Sequence, residues 1–393
     1  MINFEYYTPT KVIFGKDTEQ QVGQQVKAFG GTKVLVHYGS ESAKRSGLLD
    51  RVCKSLEAEG IAYVTLGGVV PNPRLSKVYE GLELAKKEGV DFLLAVGGGS
   101  VIDSSKAIGY GLANPDHDVW DFYSRKAVPT GCAPVGVVLT LSAAGSEMSN
   151  SSVITNEDGW LKRGYNSDYC RPKFAIMNPE LTYTLPKYQT ACGAVDIMMH
   201  TMERYFTNTT DVELTDKLCE SVLTTVMNNA RILMKDPTNY AARAEVMWAG
   251  SLSHNGLTGT GRVTDFASHQ IEHELGGMFD VAHGAGLAAV WSSWARYVYK
   301  TNPMKFAQFA VNVMGCEMDY ENVENTALAG IEAMERFYHD IEMPIRVSEM
   351  GIDLTEEQIQ EMAYKCTFEE TRTIGGFQVL GKKDIEEIYR MAK

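Results

Sequence analysis

The periodicity of this 393-residue chain changes once, near Pro186, and that change limits the folds open to it. Before it, short β-branched and aliphatic runs alternate with amphipathic stretches. The expected strands are Lys33–Tyr38, Ala62–Leu66, Phe92–Val96, Pro134–Leu141 and Phe174–Met177, with helical patterns such as Glu41–Glu59 and Arg74–Glu88 between them. Strands alternating with helices of this length build βαβ units, so an α/β domain on a parallel sheet is expected. After Pro186 the strand signal nearly vanishes. A 3.6-residue periodicity covers Lys187–Phe206, Val212–Met234, Tyr240–Asn255, Met304–Val313, Val323–His339, Thr355–Lys365 and Lys383–Ala392, which predicts a helical region. The chain is long enough for two cores. The Tyr183-Thr184-Leu185-Pro186 passage then separates an α/β domain, residues 1–185, from an all-helical domain, residues 186–393.

Charge excludes some partners. The formal net charge is −13 with no long basic run, which argues against nucleic acid and anionic membrane surfaces. No stretch is apolar for long enough to span a bilayer, and Met1–Tyr7 lacks the basic start and apolar run of a signal peptide. The seven cysteines are irregularly spaced with no CxxC pair, a pattern of reduced thiols in a cytoplasmic protein.

Five of the eight histidines fall between His200 and His283. Asp196 and His200 are four apart in a helical run, so both project from one face. With His269 and His283 they offer one carboxylate and three imidazoles, a good ligand set for a borderline divalent cation such as Fe²⁺ or Zn²⁺. Gly276-Gly277 is expected to break the intervening helix and return the chain toward His283. The alternative is four unrelated polar residues on helix faces. Met198, Met199 and Met202 interleave with the first two ligands and are read as core.

A second motif, Gly97-Gly98-Gly99-Ser100, directly follows the apolar run Phe92–Val96. Glycines let the backbone turn sharply and approach a ligand, and Ser100 is expected to cap the helix that follows. A helix N-terminus after such a turn suits a pyrophosphate, although a tight turn that binds nothing has the same composition. In open α/β sheets ligands lie beyond the carboxyl ends of strands, which brings in the loop after Lys33–Tyr38. A carboxylate directly after Gly39 would repel a ribose 2′-phosphate. Ser40 stands there, followed by Ser42 and Lys44, which favours NADP(H) over NAD(H), with Glu41 opposing. The loop Thr140–Glu147 is rich in small and hydroxyl residues and could support the nicotinamide end, or be an ordinary polar turn.

The run Gly97-Gly98-Gly99-Ser100-Val101-Ile102-Asp103 resembles the GGGSxxD motif of the iron-containing (group III) alcohol dehydrogenases. The pattern Asp196-x-x-x-His200, His269 and His283-Gly284 resembles their metal site, and Pro71-Asn72-Pro73 and Leu185-Pro186 also fit. The similarity runs over nearly the whole chain and is strongest to the NADPH-dependent butanol dehydrogenases. It implies a Rossmann-like nucleotide domain followed by an all-helical metal domain, the two-domain plan shared with dehydroquinate synthase. It also implies Asp196, His200, His269 and His283 as ligands of Fe²⁺, with Zn²⁺ possible. Gly97, Gly98, Gly99 and Ser100 would hold the pyrophosphate of NADP(H), with Asp103 and Thr140 beside it, and Ser142 and Lys162 near the nicotinamide and its ribose. Leu141 and Ala144 depart from the family's TTxGTGSE run. By the same analogy Tyr6–Phe14 would pair two copies into a homodimer.

The expected activity is hydride transfer between NADP(H) and a small primary alcohol or aldehyde of butanol size. His273, four residues after His269, could relay the proton or simply line the site, and His254 is read as structural. A dehydroquinate-synthase-like lyase is the alternative enzyme. It needs a basic cluster for a phosphorylated substrate, which Asp196–His283 lacks. A protein that binds metal and nucleotide without catalysis is the non-enzymatic alternative.

Overall fold

A computed structural model describes residues 1–39 and 41–393. The backbone separates into two units, Tyr7–Thr184 and Met1–Tyr6 with Leu185–Lys393. The division falls inside the passage read from the sequence, but the first six residues join the helical unit instead of the α/β one. Backbone bonds hold them there: the Met1 ammonium donates to the Thr210 carbonyl at 2.8 Å and Ile2 N–H to that of Gly261 at 2.9 Å.

The α/β unit runs β1 (Lys11–Phe14), α1 (Val22–Ala28), β2 (Lys33–Tyr38), α2 (Ser42–Arg45), α3 (Leu48–Ala58), β3 (Ala62–Leu66), α4 (Leu75–Glu88), β4 (Phe92–Gly97), α5 (Gly99–Ala113), α6 (Val119–Tyr123), β5 (Val135–Leu139), β6 (Ser151–Asn156), β7 (Leu161–Asn166) and β8 (Phe174–Met177). The main sheet has the order β1-β8-β5-β4-β2-β3, and every pairing is parallel. Every residue of β4, β5 and β8 is buried, as expected when helices cover both faces of a parallel sheet. Glu41–Glu59, read as one helical stretch, is two helices, because Gly47 takes the left-handed conformation at φ 68. β1 lies within Tyr6–Phe14, the segment expected to pair two copies, and pairs with β8; the antiparallel β6–β7 hairpin was not read from the sequence. The hairpin is mostly polar and offers no apolar run to read.

The helical unit contains α7 (Lys187–Tyr205), α8 (Glu213–Leu233), α9 (Tyr240–His254), α10 (Ala267–Phe279), α11 (His283–Val298), α12 (Pro303–Asn312), α13 (Val323–Asp340), α14 (Glu356–Cys366) and α15 (Lys382–Ala392). Its core joins Phe206, Trp291, Trp294, Phe306 and Phe309, with the Phe206 and Phe306 rings stacked at 4.3 Å. Helix α11 was not legible as a periodic segment because it is buried nearly all round and lacks a polar face to set the period. Gly276-Gly277 does not break α10. Both residues are buried within the helix, which ends at Phe279 where Asp280 turns left-handed at φ 52.

Candidate metal centre and nucleotide turn

Helix α7 carries Asp196 and His200 on one face, α10 carries His269, and α11 begins at His283. These elements bring the four side chains together. Nε2 of His200, His269 and His283 lie 3.3, 3.6 and 3.7 Å from one oxygen, Asp196 Oδ1. Donor atoms held 2.0–2.2 Å from a shared cation in a tetrahedral arrangement stand about 3.4 Å apart. Among the described residues, Asp196 Oδ1 and His269 Nε2 are buried without a hydrogen-bond partner. Such orphaned atoms are expensive unless something positive satisfies them. Asp196, His200 and His269 form one close donor group, and His283 reaches it through Asp196 Oδ1 while also grouping with Glu272 and His273; this donor set fits a divalent cation.

Local packing fixes where these side chains sit. A Cβ on Gly284 would stand 2.1 Å from the Cys192 carbonyl oxygen, so only glycine lets the start of α11 lean on α7 and bring His283 to Asp196. The turn before α10 is pinned by Asp265, which accepts from the N–H groups of Ala267 (3.0 Å), Gly376 and Phe377 (both 2.8 Å). Met198, Met199 and Met202 are fully buried in the helical core, as the sequence suggested.

The far nitrogens of two of these rings are held by carboxylates that sequence reasoning missed. Glu203 bonds Nδ1 of His269 and also accepts its backbone N–H at 2.9 Å, while Glu272 bonds Nδ1 of His283. Such contacts select the tautomer and leave Nε2 for a cation. For His269, burial opposes the charged form, but Glu203 and Asp196 outweigh it and push the pKa up to about 9. Burial, with His254 and His269 beside it, pushes His200 well below its ordinary value and keeps it neutral. Glu203 lies three residues beyond His200, and Glu272 three beyond His269. That helical spacing was the available signal.

His273 is half-buried on α10, its ring centre 6.4 Å from that of His269 and 5.9 Å from that of His283. His254, read as structural, ends α9 with its ring only 3.8 Å from that of His200.

In the α/β unit, the glycine turn sits at the carboxyl end of β4. Gly98, not Ser100, is the N-cap of α5: its extended backbone starts the helix at Gly99 and puts Ser100 in the first turn. The first N–H groups of a helix have no intrahelical acceptor and attract phosphate. A side chain here would collide, since a Cβ on Gly97 would lie 2.5 Å from Val101 Cγ2 and one on Gly98 3.0 Å from Leu141 Cβ. Thr140 follows β5 and donates its N–H to the Gly97 carbonyl at 3.1 Å, while Ser142 is half-buried in the same loop. Gly39 directly follows β2 near the same helix, where a Cβ would lie 3.7 Å from Val101 Cγ2. Ser42 is exposed at the start of α2, and Ser40 lies outside the described residues. Lys162 is buried on β7, opposite Thr155 of β6. The Asp103 carboxylate is engaged by the protein, accepting from Ser146 Oγ at 2.6 Å and from Val153 N–H at 2.9 Å.

Lys106, which the sequence reading passed over, is fully buried one turn further along α5. Its ammonium donates to the carbonyls of Ser146 (2.7 Å), Ser149 (3.0 Å) and Ser151 (2.8 Å). Asp103 and Lys106 therefore tie the Thr140–Ser149 loop to the helix that carries the turn.

Residues 9–179 match the model of iron-containing alcohol dehydrogenases, and residues 190–393 match that of the C-terminal part of the same family. The chain belongs to the iron-containing alcohol dehydrogenase family. It is 40% identical over 390 residues to the probable NADH-dependent butanol dehydrogenase 1 of Bacillus subtilis (strain 168), covering 99% of each chain. It is 35% identical over 362 residues to the NADPH-dependent aldehyde reductase YqhD of Escherichia coli (strain K12), covering 90% of each. The structure of NADH-dependent butanol dehydrogenase A from Thermotoga maritima superposes with a TM-score of 0.95 at 39% identity, covering 100% of this chain and 99% of that one. As a member of this family the chain is an alcohol or aldehyde oxidoreductase, and membership implies a nicotinamide cofactor and iron. The lyase and the non-catalytic binding protein drop out. Among the described residues no helix is long and apolar enough to cross a membrane.

Proposed function

We propose that the chain interconverts small primary alcohols and their aldehydes, butanol and butanal among them. In this reading Asp196, His200, His269 and His283 hold iron, with zinc as the alternative cation. The nicotinamide dinucleotide lies along Gly97, Gly98, Gly99 and Ser100. The observation that carries the reading is the approach of three Nε2 atoms to Asp196 Oδ1 within 3.7 Å. Relatives named butanol dehydrogenases support the substrate size.

When bound, the cation supplies Lewis acidity toward an alcohol or carbonyl oxygen, and the nicotinamide gives or takes hydride. The protein supplies the rest. Glu203 and Glu272 orient two ligand rings. The Asp103 and Lys106 bonds hold the loop of Thr140 and Ser142, and Lys162 is assigned to the ribose beside the nicotinamide. We assign His273 the transfer of the substrate proton toward solvent, which its half-exposure and closeness to His283 support.

Cofactor choice has two readings. Ser42 and Lys44, with Ser40, support NADP(H). Glu41 supports NAD(H): it puts a carboxylate on the same turn, and its Oε1 accepts from Lys44 Nζ at 3.1 Å, so part of the lysine's charge is already answered. Relatives at 36–40% identity are named NADH-dependent, and we place NAD(H) first. A cytoplasmic homodimer completes the reading. Seven free cysteines support the compartment, and the edge position of β1 supports the pairing.

Chelator-stripped enzyme reloaded separately with Fe²⁺ and Zn²⁺, then assayed on butanal with NADH and NADPH, tests these statements. Activity should return only with a cation and favour NADH. Full activity without metal would refute the function, and a clear preference for NADPH would return the cofactor to the first reading.

A further inference from the structure

The three ligand histidines are not held alike. His269 and His283 each have Nδ1 fixed by a carboxylate, Glu203 and Glu272. His200 Nδ1 is buried without a hydrogen-bond partner among the described residues. An imidazole's χ2 torsion is broad and nearly two-fold, so an untethered ring can turn its nitrogens away from a cation. Arg204 donates to the His200 carbonyl at 2.6 Å, which steadies the helix but leaves the ring free.

What restrains the ring is flat packing. The His254 ring lies 3.8 Å from that of His200 at 32°, and the His269 ring lies 4.3 Å from it at 28°. Two nearly parallel rings at those distances cannot share one face, so His200 is clasped between them. His269 is a ligand and is fixed by its own carboxylate. His254 comes from another helix, at the end of α9.

We propose that His254 is a positioning residue for the metal centre. Its ring, pressed on His200 from the end of α9, does by stacking what Glu203 and Glu272 do by hydrogen bonding for the other two ligands. The proposal rests on reading the quartet as a metal site. It requires a flat ring at 254 and nothing of that ring's polar atoms.

The test is the affinity of the full-length, chelator-stripped chain for Zn²⁺, measured by competition with a chromogenic chelator. The absorption spectrum of the Co²⁺-loaded protein serves as a second readout. His254→Ala should weaken Zn²⁺ binding by about 10- to 100-fold, the effect seen when a ligand loses its orienting partner, and should change the Co²⁺ bands. His254→Phe keeps the flat ring and should bind Zn²⁺ close to the wild-type value. His254→Leu keeps volume without flatness, should behave like the alanine variant, and carries the test if that variant does not fold. A merely structural role predicts a lower melting temperature with unchanged affinity and bands in the variants that fold. Wild-type affinity in His254→Leu would overturn the proposal, as would a phenylalanine variant as weak as leucine. A wild-type chain that takes up no cation would overturn it together with the metal reading. Tight wild-type binding that survives His254→Leu would sink the positioning role alone.

Discussion

Replacing Lys106 by methionine should damage the α/β unit and its cofactor site together. The Lys106 ammonium is fully buried, with Ser146 O, Ser151 O and Ser149 O at 2.7, 2.8 and 3.0 Å, and the hydroxyls of Ser146 and Ser149 at 2.9 and 3.3 Å. Three N–H bonds meet three carbonyls, and hydrogen bonds of this charged kind are worth about 1.5–3 kcal/mol each. Methionine removes the bonds and also the desolvation penalty of the buried charge, which is several kcal/mol. Three carbonyls are then left buried without their donor, so the net loss is about 3–5 kcal/mol. For a unit of this size that lowers the melting temperature by roughly 10 °C or more. The three carbonyls belong to the segment that follows Thr140 and Ser142, so the KM for the nicotinamide should rise while Zn²⁺ affinity, set in the other unit, stays put. Lys106→Arg should rescue little, because a planar guanidinium cannot aim three N–H groups into a cage built for an ammonium. Thermal unfolding with steady-state kinetics reads both effects. A methionine variant with wild-type melting temperature and cofactor KM would refute the argument.

Glu203→Gln and Glu272→Gln each leave a ligand histidine without its carboxylate, and each should weaken Zn²⁺ binding about 10- to 100-fold in chelator competition. An unchanged affinity would deny these carboxylates their orienting role. Gly284→Ala forces a Cβ to within 2.1 Å of the Cys192 carbonyl oxygen, a backbone contact that cannot yield. It should cost about 3 kcal/mol by overpacking and displace His283, to be seen as a lower melting temperature with weaker metal binding. His37 is fully buried, with Nδ1 on the Leu66 carbonyl and Nε2 on Ser104 Oγ, both at 2.9 Å, and burial holds its pKa down at about 4. With the folded value below the unfolded one, its stabilisation is complete above pH 6.5 and is lost as the pH falls toward 4. The loss is about 3 kcal/mol, and metal-free His37→Gln should lack that part of the pH dependence in urea unfolding.

Most of the fold was legible because its signals are local. β2 and β8 have the bounds read from the sequence, since buried parallel strands are short apolar runs with turn residues on either side, and so does the mostly unburied edge strand β3, whose run is aromatic and β-branched. The side chains that meet at Asp196 could be picked out for a similar reason: histidine is scarce, and Asp196 with His200 has helical spacing. What escaped has a physical cause in each case. Ser100 looked like a cap because serine caps well, but Gly98 reaches an extended conformation that starts the helix two residues earlier. Gly276-Gly277 looked like a break, yet a glycine costs a helix only about 1 kcal/mol, and tertiary packing of α10 outweighs that. Lys106 carried no signal, because a lysine is ordinarily solvated and only the folded loop supplies its acceptors.

The supporting residues of the metal centre share a different obscurity. Glu203 lies on α7 beside Asp196 and His200 but bonds His269 of α10, and Glu272 lies on α10 beside His269 but bonds His283 of α11. His254 ends α9 and packs on His200 of α7. In each case helical spacing points to a neighbour on the same helix, while the interaction is made across to another. Periodicity reports which face of a helix a residue occupies and says nothing of the helix opposite. The same crossing gives the site its rigidity, since each ligand ring is held by a side chain from a different helix. A ligand cage braced in this way takes its shape only when α7, α9, α10 and α11 are packed together, so cation binding and the tertiary structure of the helical unit are one coupled equilibrium.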